Sequence, residues 1–482
     1  MSVGMKSFIV ILVYLLVLFA VTIYSYKQSK SKEKNAEEFF LAGRGVSSVI
    51  LPLTMISAMQ STFAFLGAPG MFYMHGIGFL VMVLSQVWVA LMIIFFGQRI
   101  WRLGGKYGYM SMGDFLEDRF ESRYLKLFSA AVSTLMTVVF LAMQYVGSAR
   151  AIEILSRGEV PYIIGLLIIA FFSMLYVIIG GAGSVVLTDA VQAIVLIGGI
   201  MLAAFIALVP SGGISGLFTK IIQTNPALLT REGAQGFYTN KNWIMQFLVL
   251  PFGIWLCPHV WNRSLMAEDE KALVMSALSI PVSQIVIYAT AGLFIGLSGH
   301  VLLTEVGAPD NVLPLLMNQY ANWFVAALVI AASIAAGIST INSMILVSAQ
   351  LVSQDILKTL RREKLTDSKE VVVSRIIAFL IVVVGVLIAY NPPQSLVTVV
   401  IDVAYSGLAQ IAPAFILGLY WKECTKEGAA IGMTMGIVIL FATRILHISP
   451  LGIPGFLFAF IVNILLTIVV SKITKDTNQE VI

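Results

Sequence analysis

The stretch IAAGISTINSMIL, residues 334–346, decides how the rest of the chain is read. It lies inside a long apolar run, yet it carries Ser339, Thr340, Asn342 and Ser343. At about 100° per residue, Ala336, Ser339, Thr340 and Ser343 share one helix face. Ile334, Ile338, Ile341 and Ile345 gather on the other. One face suits lipid or packing, while the other presents oxygens to something buried. Small and hydroxylated residues also serve where membrane helices approach closely. On this segment alone, packing and a ligand site are both open readings.

Composition supplies the setting. Hydrophobic residues make up 59% of the chain and charged residues 11%, with a mean hydropathy of +0.93. That describes a polytopic membrane protein, not a soluble domain with a large core. Cys257 and Cys424 are far apart, without metal-ligand spacing or a disulfide framework. The four histidines (His75, His259, His300 and His447) are scattered. No P-loop, HExxH or GxSxG motif occurs, so no enzyme chemistry is expected.

Apolar segments run over 7–26, 46–74, 77–98, 126–152, 161–180, 184–209, 242–262, 273–298, 322–357, 371–390, 395–420, 428–446 and 454–471. The expectation is therefore an all-α integral membrane protein of about thirteen spans, most near the ~20 residues a bilayer needs. If the N-terminus is outside, 23 of the 30 Lys and Arg residues lie in or beside cytoplasmic loops. The count includes Lys30, Lys32, Lys34, Arg263, Arg362 and Lys364. By the positive-inside rule the N-terminus is outside and the C-terminus cytoplasmic. The basic pI near 9.0 is then topology, and no nucleic-acid partner is expected. Residues 99–125 read as an amphipathic cytoplasmic connector.

Two spans carry helix breakers. The first core span holds Gly67, Pro69 and Gly70 with Ser57, Ser61 and Thr62; the sixth holds Pro251, Gly253 and Pro258. Breaks in the first and sixth of ten consecutive spans match inverted five-helix repeats, which place binding sites near the bilayer midplane. The expected organisation is a peripheral helix over 1–26, repeats over 46–210 and 242–420, and two further helices within 428–471.

With these parts assembled, the sequence resembles the sodium/solute symporter family, which has the leucine-transporter fold. The resemblance rests on EEFFLAGR (37–44), LYVIIGGAGSVVLTDAVQ (175–192), STINS (339–343), NPPQSL (391–396) and GLYWKECTKEGA (418–429). Within the family it is nearest the bacterial sodium/pantothenate symporters. The resemblance implies a sodium ion between the first and eighth core helices. Its ligands would be the carbonyls of Ser57, Gln60 and Ala336 and the hydroxyls of Ser339 and Thr340. Neutral oxygens suit a monovalent cation that must leave again. Some relatives hold a second sodium, which here would use Asp189, Ser339, Asn342 and Ser343; Asn342 stands where another Ser is expected.

The substrate cavity is expected beside the broken helices, with Ser61, Thr62, Gln86, Gln144, Trp255 and Gln410 as candidates. Hydroxyls and amides can hold a carboxylate, and Trp can cover an apolar body. Arg150 with Glu153 reads as a structural ion pair, His259 as structural, and Asp402 as an acid of the outer vestibule. The function implied is a sodium-coupled importer of a small organic acid, with pantothenate first. Proline or a short-chain monocarboxylate is the alternative, although Met59 stands where proline carriers have an aspartate. A transporter-derived sensor or a channel is the rival class; the chain shows no signalling domain and no filter motif. The implied partners are sodium, the substrate and the lipid bilayer, with no other cofactor and a monomer sufficing.

Overall fold

The computed structural model describes residues 1–29, 36–361, 367–391 and 396–475. Lys30, Lys32, Lys34, Arg362, Lys364 and residues 392–395 of the NPPQSL motif lie outside the described residues. Within them the regular structure is helical, with one isolated bridge between Val46 and Ala267. Among the described residues ten helices are long and apolar enough to cross a membrane, or eleven when the bent pair Asn240–Trp255 and Pro258–Leu265 is one span.

Thirteen separate helices are not what this count returns, and the reason is physical. Phe63–Tyr107 runs for 45 residues and Tyr162–Leu208 for 47. At 1.5 Å per residue each is roughly twice the ~30 Å hydrocarbon thickness. Each contains a glycine in the left-handed region, Gly76 (φ 60°) or Gly181 (φ 55°). At Gly76 a Cβ would lie 1.8 Å from the Leu228 carbonyl oxygen, so glycine is required there.

Both expected breaks are present. In the first core helix Ile50–Met59 ends at Gln60, whose backbone is extended (φ −94°, ψ 97°). The helix resumes through a wide turn, Phe63–Gly67, into Ala68–His75. The break thus precedes Gly67, Pro69 and Gly70. Gly70 instead lets the Pro309 carbonyl approach to 2.7 Å from where a Cβ would stand. In the sixth core helix the two halves meet at 58° around Leu256 and Cys257, with Pro258 opening the second half as the helix-start preference dictates.

The eighth core helix, Trp323–Gln350, is the buried axis. Every residue over 329–350 is buried, so the isoleucine face packs on protein rather than lipid. Its neighbours include the N-terminal helix Val3–Ser29, the third core helix Arg123–Leu155 and the helix Tyr162–Leu208. At the C-terminal end Lys426–Ile445 pairs with Gly455–Thr474. Gly428, Gly432 and Gly436 there admit Ser471, Thr467 and Asn463 at distances no side chain would allow.

Candidate functional site

The polar face of residues 334–346 meets the broken end of the first core helix. The Ser339 hydroxyl donates to the Ser57 carbonyl at 3.0 Å and to the Ala336 carbonyl at 2.9 Å. The Thr340 hydroxyl donates to the Ala336 carbonyl at 3.1 Å and reaches the Ala58 carbonyl at 3.4 Å. All these residues are buried, with Ser57, Ser339 and Thr340 at 0% exposure. The Gln60 carbonyl, expected in this group, receives neither hydroxyl; Ala58 takes that place.

The break frees the Ala58 and Met59 carbonyls because their helical donors are engaged elsewhere. In an unbroken helix the Thr62 N–H would serve the Ala58 carbonyl and the Phe63 N–H the Met59 carbonyl. Instead the Thr62 N–H donates to Gln144 Oε1 at 3.0 Å and the Phe63 N–H to the Ser61 hydroxyl at 3.2 Å. The Thr62 hydroxyl adds a bond to Gln144 Oε1 at 2.6 Å. Of the residues expected around a substrate, Thr62 and Gln144 bond each other and Ser61 takes the Phe63 N–H, so all three hold the break open. Gln60 closes the arrangement sideways, its amide donating to the Ser283 hydroxyl at 3.3 Å.

This donor set fits a sodium ion. It comprises neutral oxygens from two helices, buried and converging, with no carboxylate among them. A hydroxyl that donates to a carbonyl can turn its lone pairs to a cation, so the same atoms serve both conditions.

One helical turn toward the C-terminal end, the second-ion oxygens hold a guanidinium. Arg263 Nη2 donates to Asp189 Oδ2 at 2.5 Å and to the Ser343 hydroxyl at 2.7 Å. Its Nε donates to the Thr54 carbonyl at 3.0 Å and hydroxyl at 3.1 Å. Thr54 donates in turn to Asp189 Oδ2 at 3.0 Å, and Arg263 Nη1 donates to the His259 carbonyl at 2.6 Å. Arg263 and Asp189 are 3% and 0% exposed. Asp189 and Ser343 thus already serve a cation belonging to the chain, while Asn342 Oδ1 is buried without a partner. Arg263 was legible only as a loop-flanking charge. The signal that pairs it is Asp189, since a buried acid in a span calls for a counter-charge.

The remaining substrate candidates do not converge. Trp255 sits in an aromatic nest with Phe96, Trp261 and Phe415, with ring centroids 5.4, 5.8 and 5.6 Å away. Gln410 faces the helix Gly455–Thr474, where Asn463 donates to its backbone carbonyl at 2.7 Å and its side-chain oxygen at 3.2 Å. Gln86 bonds within its own helix, to the Met82 carbonyl at 3.2 Å, and leaves Oε1 buried without a partner. The group that does bridge the third, sixth and tenth core helices is Phe140, His259 and Tyr405, with Phe140 6.0 Å from His259 and 5.4 Å from Tyr405.

One further expectation changes. Arg150 reaches Asp310 at 3.9 Å, and Glu153 accepts the Tyr162 N–H at 3.2 Å. Asp402 pairs with Arg444 at 3.3 Å, half-exposed between the tenth core helix and Lys426–Ile445.

Comparison with known proteins supplies the family. The sodium/pantothenate symporter of Escherichia coli (strain K12) is 27% identical over 474 residues, covering 97% of this chain and 96% of that protein. The sodium/pantothenate symporter of Haemophilus influenzae is 27% identical, covering 89% and 88%. A sodium/proline symporter of Staphylococcus aureus (strain JH9) is 25% identical, covering 98% and 93%. Among solved structures, a Na+-coupled sialic acid symporter in a substrate-bound outward-open state shares the fold, with a TM-score of 0.83 at 19% identity over 98% of both chains. The sodium:solute symporter family profile matches residues 39–436, and the chain belongs to that family.

Proposed function

We propose that this protein imports pantothenate, or a similarly small hydroxylated monocarboxylate, together with one sodium ion by alternating access. The observation that carries the reading is the junction of Ser339 and Thr340 with the freed carbonyls of Ser57 and Ala58. The sodium ligands are Ser57, Ala336, Ser339 and Thr340, with Ala58 in the place expected of Gln60. Sodium entering from outside draws the first and eighth core helices together, and its release inside lets them part. Arg263 occupies the place of a second ion, which favours a single sodium per cycle.

The pantothenate assignment draws on the two relatives of that name and on the absence, among the described residues, of a buried basic cluster that would suit a di- or tricarboxylate. Proline is the alternative, carried by the proline-transporting relatives; a short-chain monocarboxylate is a further one. We place the repeats over 46–210 and 242–420, the N-terminus outside and the C-terminus in the cytoplasm, and the working unit as a monomer in the bilayer. A potential of ~150 mV contributes ~3.4 kcal/mol per charge, and a tenfold sodium gradient ~1.4 kcal/mol. For a monoanion with one sodium the electrical contribution vanishes, so uptake would be electroneutral.

The test is uptake of labelled pantothenate into proteoliposomes with and without a sodium gradient, in competition with proline, acetate and lactate. Sodium-dependent accumulation resisted by none of the three supports the reading. Pantothenate left outside while one competitor accumulates would keep the sodium site and replace the substrate.

A further inference from the structure

Thr62, just past the break in the first core helix, sits in a socket made by two other helices. A Cβ at Gly147 of the third core helix would stand 2.9 Å from the Thr62 hydroxyl oxygen. One at Gly337 of the eighth would stand 2.6 Å from Thr62 Cγ2. Between them, Gln144 Oε1 accepts both Thr62 donors, the N–H at 3.0 Å and the hydroxyl at 2.6 Å. A backbone N–H can only donate, so the oxygen of the Gln144 amide, and not its nitrogen, faces Thr62. Thr62 and Gln144 are both buried.

A buried N–H that loses one acceptor has to find another. In a continuous helix the acceptor for the Thr62 N–H is the Ala58 carbonyl, the oxygen that Thr340 reaches at 3.4 Å. Little stands in the way of that exchange. Thr62 is already helical (φ −52°, ψ −23°), and the helix before the break runs to Met59. The change is therefore confined to Gln60, now extended at ψ 97°, and Ser61. The third and eighth core helices pack on each other, so the first core helix leaves Gln144 when it parts from Ser339 and Thr340.

We propose that Gln144 is a positioning residue that makes sodium affinity depend on the contact between the first and third core helices. While the contact holds, Gln144 keeps the Thr62 N–H occupied and the Ala58 carbonyl free for the ion. When the helices part, the N–H returns to the Ala58 carbonyl and brings its positive hydrogen against the oxygen the cation needs. Helix separation and sodium release are then one event. The proposal rests on the sodium site described above and not on which solute is carried.

The test is binding of radiolabelled sodium to the purified full-length protein in lipid nanodiscs, without any transported solute. Gln144→Met keeps the side-chain length and removes the acceptor. It should raise the half-saturating sodium concentration about tenfold, the weight of one hydrogen bond. Gln144→Glu still offers Thr62 an oxygen and should stay within about threefold of the wild type. Adding Thr62→Pro to Gln144→Met removes the N–H itself, at a φ of −52° that proline accepts. That double variant should recover most of the lost affinity. A merely structural Gln144 would lower the Tm of Gln144→Met and leave its sodium titration unchanged, which overturns the proposal. A double variant as weak as Gln144→Met alone overturns it too. A wild type that binds no sodium would remove the ion site itself, and the proposal with it.

Discussion

The Ser339 hydroxyl donates to the Ser57 carbonyl at 3.0 Å, tying the buried axis of the molecule to the last turn before a helix break. Both residues are fully buried. Neither is charged, so the contact can open and close without stranding an ion in the membrane. Replacing Ser339 or Thr340 by Ala removes one of about five oxygens. We expect roughly tenfold more sodium to be needed for half-maximal uptake, the equivalent of ~1.4 kcal/mol. Folded yield should change little, since each side chain fits inside the space it vacates. Sodium titrations that superimpose on the wild type in both variants would refute the site.

The buried Asp189–Arg263 pair predicts a different signature. Asp189→Asn leaves a guanidinium without its charge partner, a loss of ~3–5 kcal/mol in comparable buried pairs, visible as a lower Tm. Changing Arg263 to Gln in the same chain should restore much of that loss, because the stranded charge is gone. The wild type should show a Hill coefficient near one for sodium. A value approaching two would mean that a second ion binds despite Arg263.

Gly337 tests how closely the helices must pack. A Cβ there would lie 2.6 Å from the Ser148 hydroxyl oxygen and 2.6 Å from Thr62 Cγ2. Gly337→Ala should therefore push the eighth core helix off the break and raise the sodium requirement together with a fall in maximal rate. The Ser148 hydroxyl is buried without a partner, so Ser148→Ala forfeits no hydrogen bond and makes room. The double variant should recover part of the sodium affinity. No recovery would place the strain on Thr62 alone.

Much of this arrangement was legible in the chain. Periodic Ser and Thr in an apolar run marked the polar face that meets the broken first helix, and Pro and Gly clusters marked both broken spans. The exact break in the first span was not legible, because Gln144 of another helix and the Ser61 hydroxyl decide which amides leave the helix. The partners of Trp255 and Gln410 were not legible for a related reason. A polar or aromatic residue on a membrane helix has a face, but its partner helix is known only from the packing. Arg263 was hidden by position, since a charge at the end of a span reads as a loop flank until an acid such as Asp189 is found opposite it.

The turn Pro309–Asn311 gives a prediction in pH. Asp310 there is 3% exposed, and its Oδ2 accepts the Leu396 N–H at 3.1 Å. Burial pushes its carboxyl up to about 6, opposed by the Leu396 hydrogen bond and by Arg150. The folded protein thus holds this proton more tightly than the unfolded chain does. Stabilisation from the neutral acid is complete below the ordinary carboxylate range near 4 and is lost as pH rises to about 6. Asp310→Asn keeps an oxygen for the Leu396 N–H and cannot ionise. Its Tm relative to wild type should therefore climb between about pH 4 and 6 and then level, with a span of at most about 3 kcal/mol. The same Tm difference at every pH would show that folding leaves the Asp310 carboxyl unshifted, the Leu396 bond and Arg150 together offsetting burial.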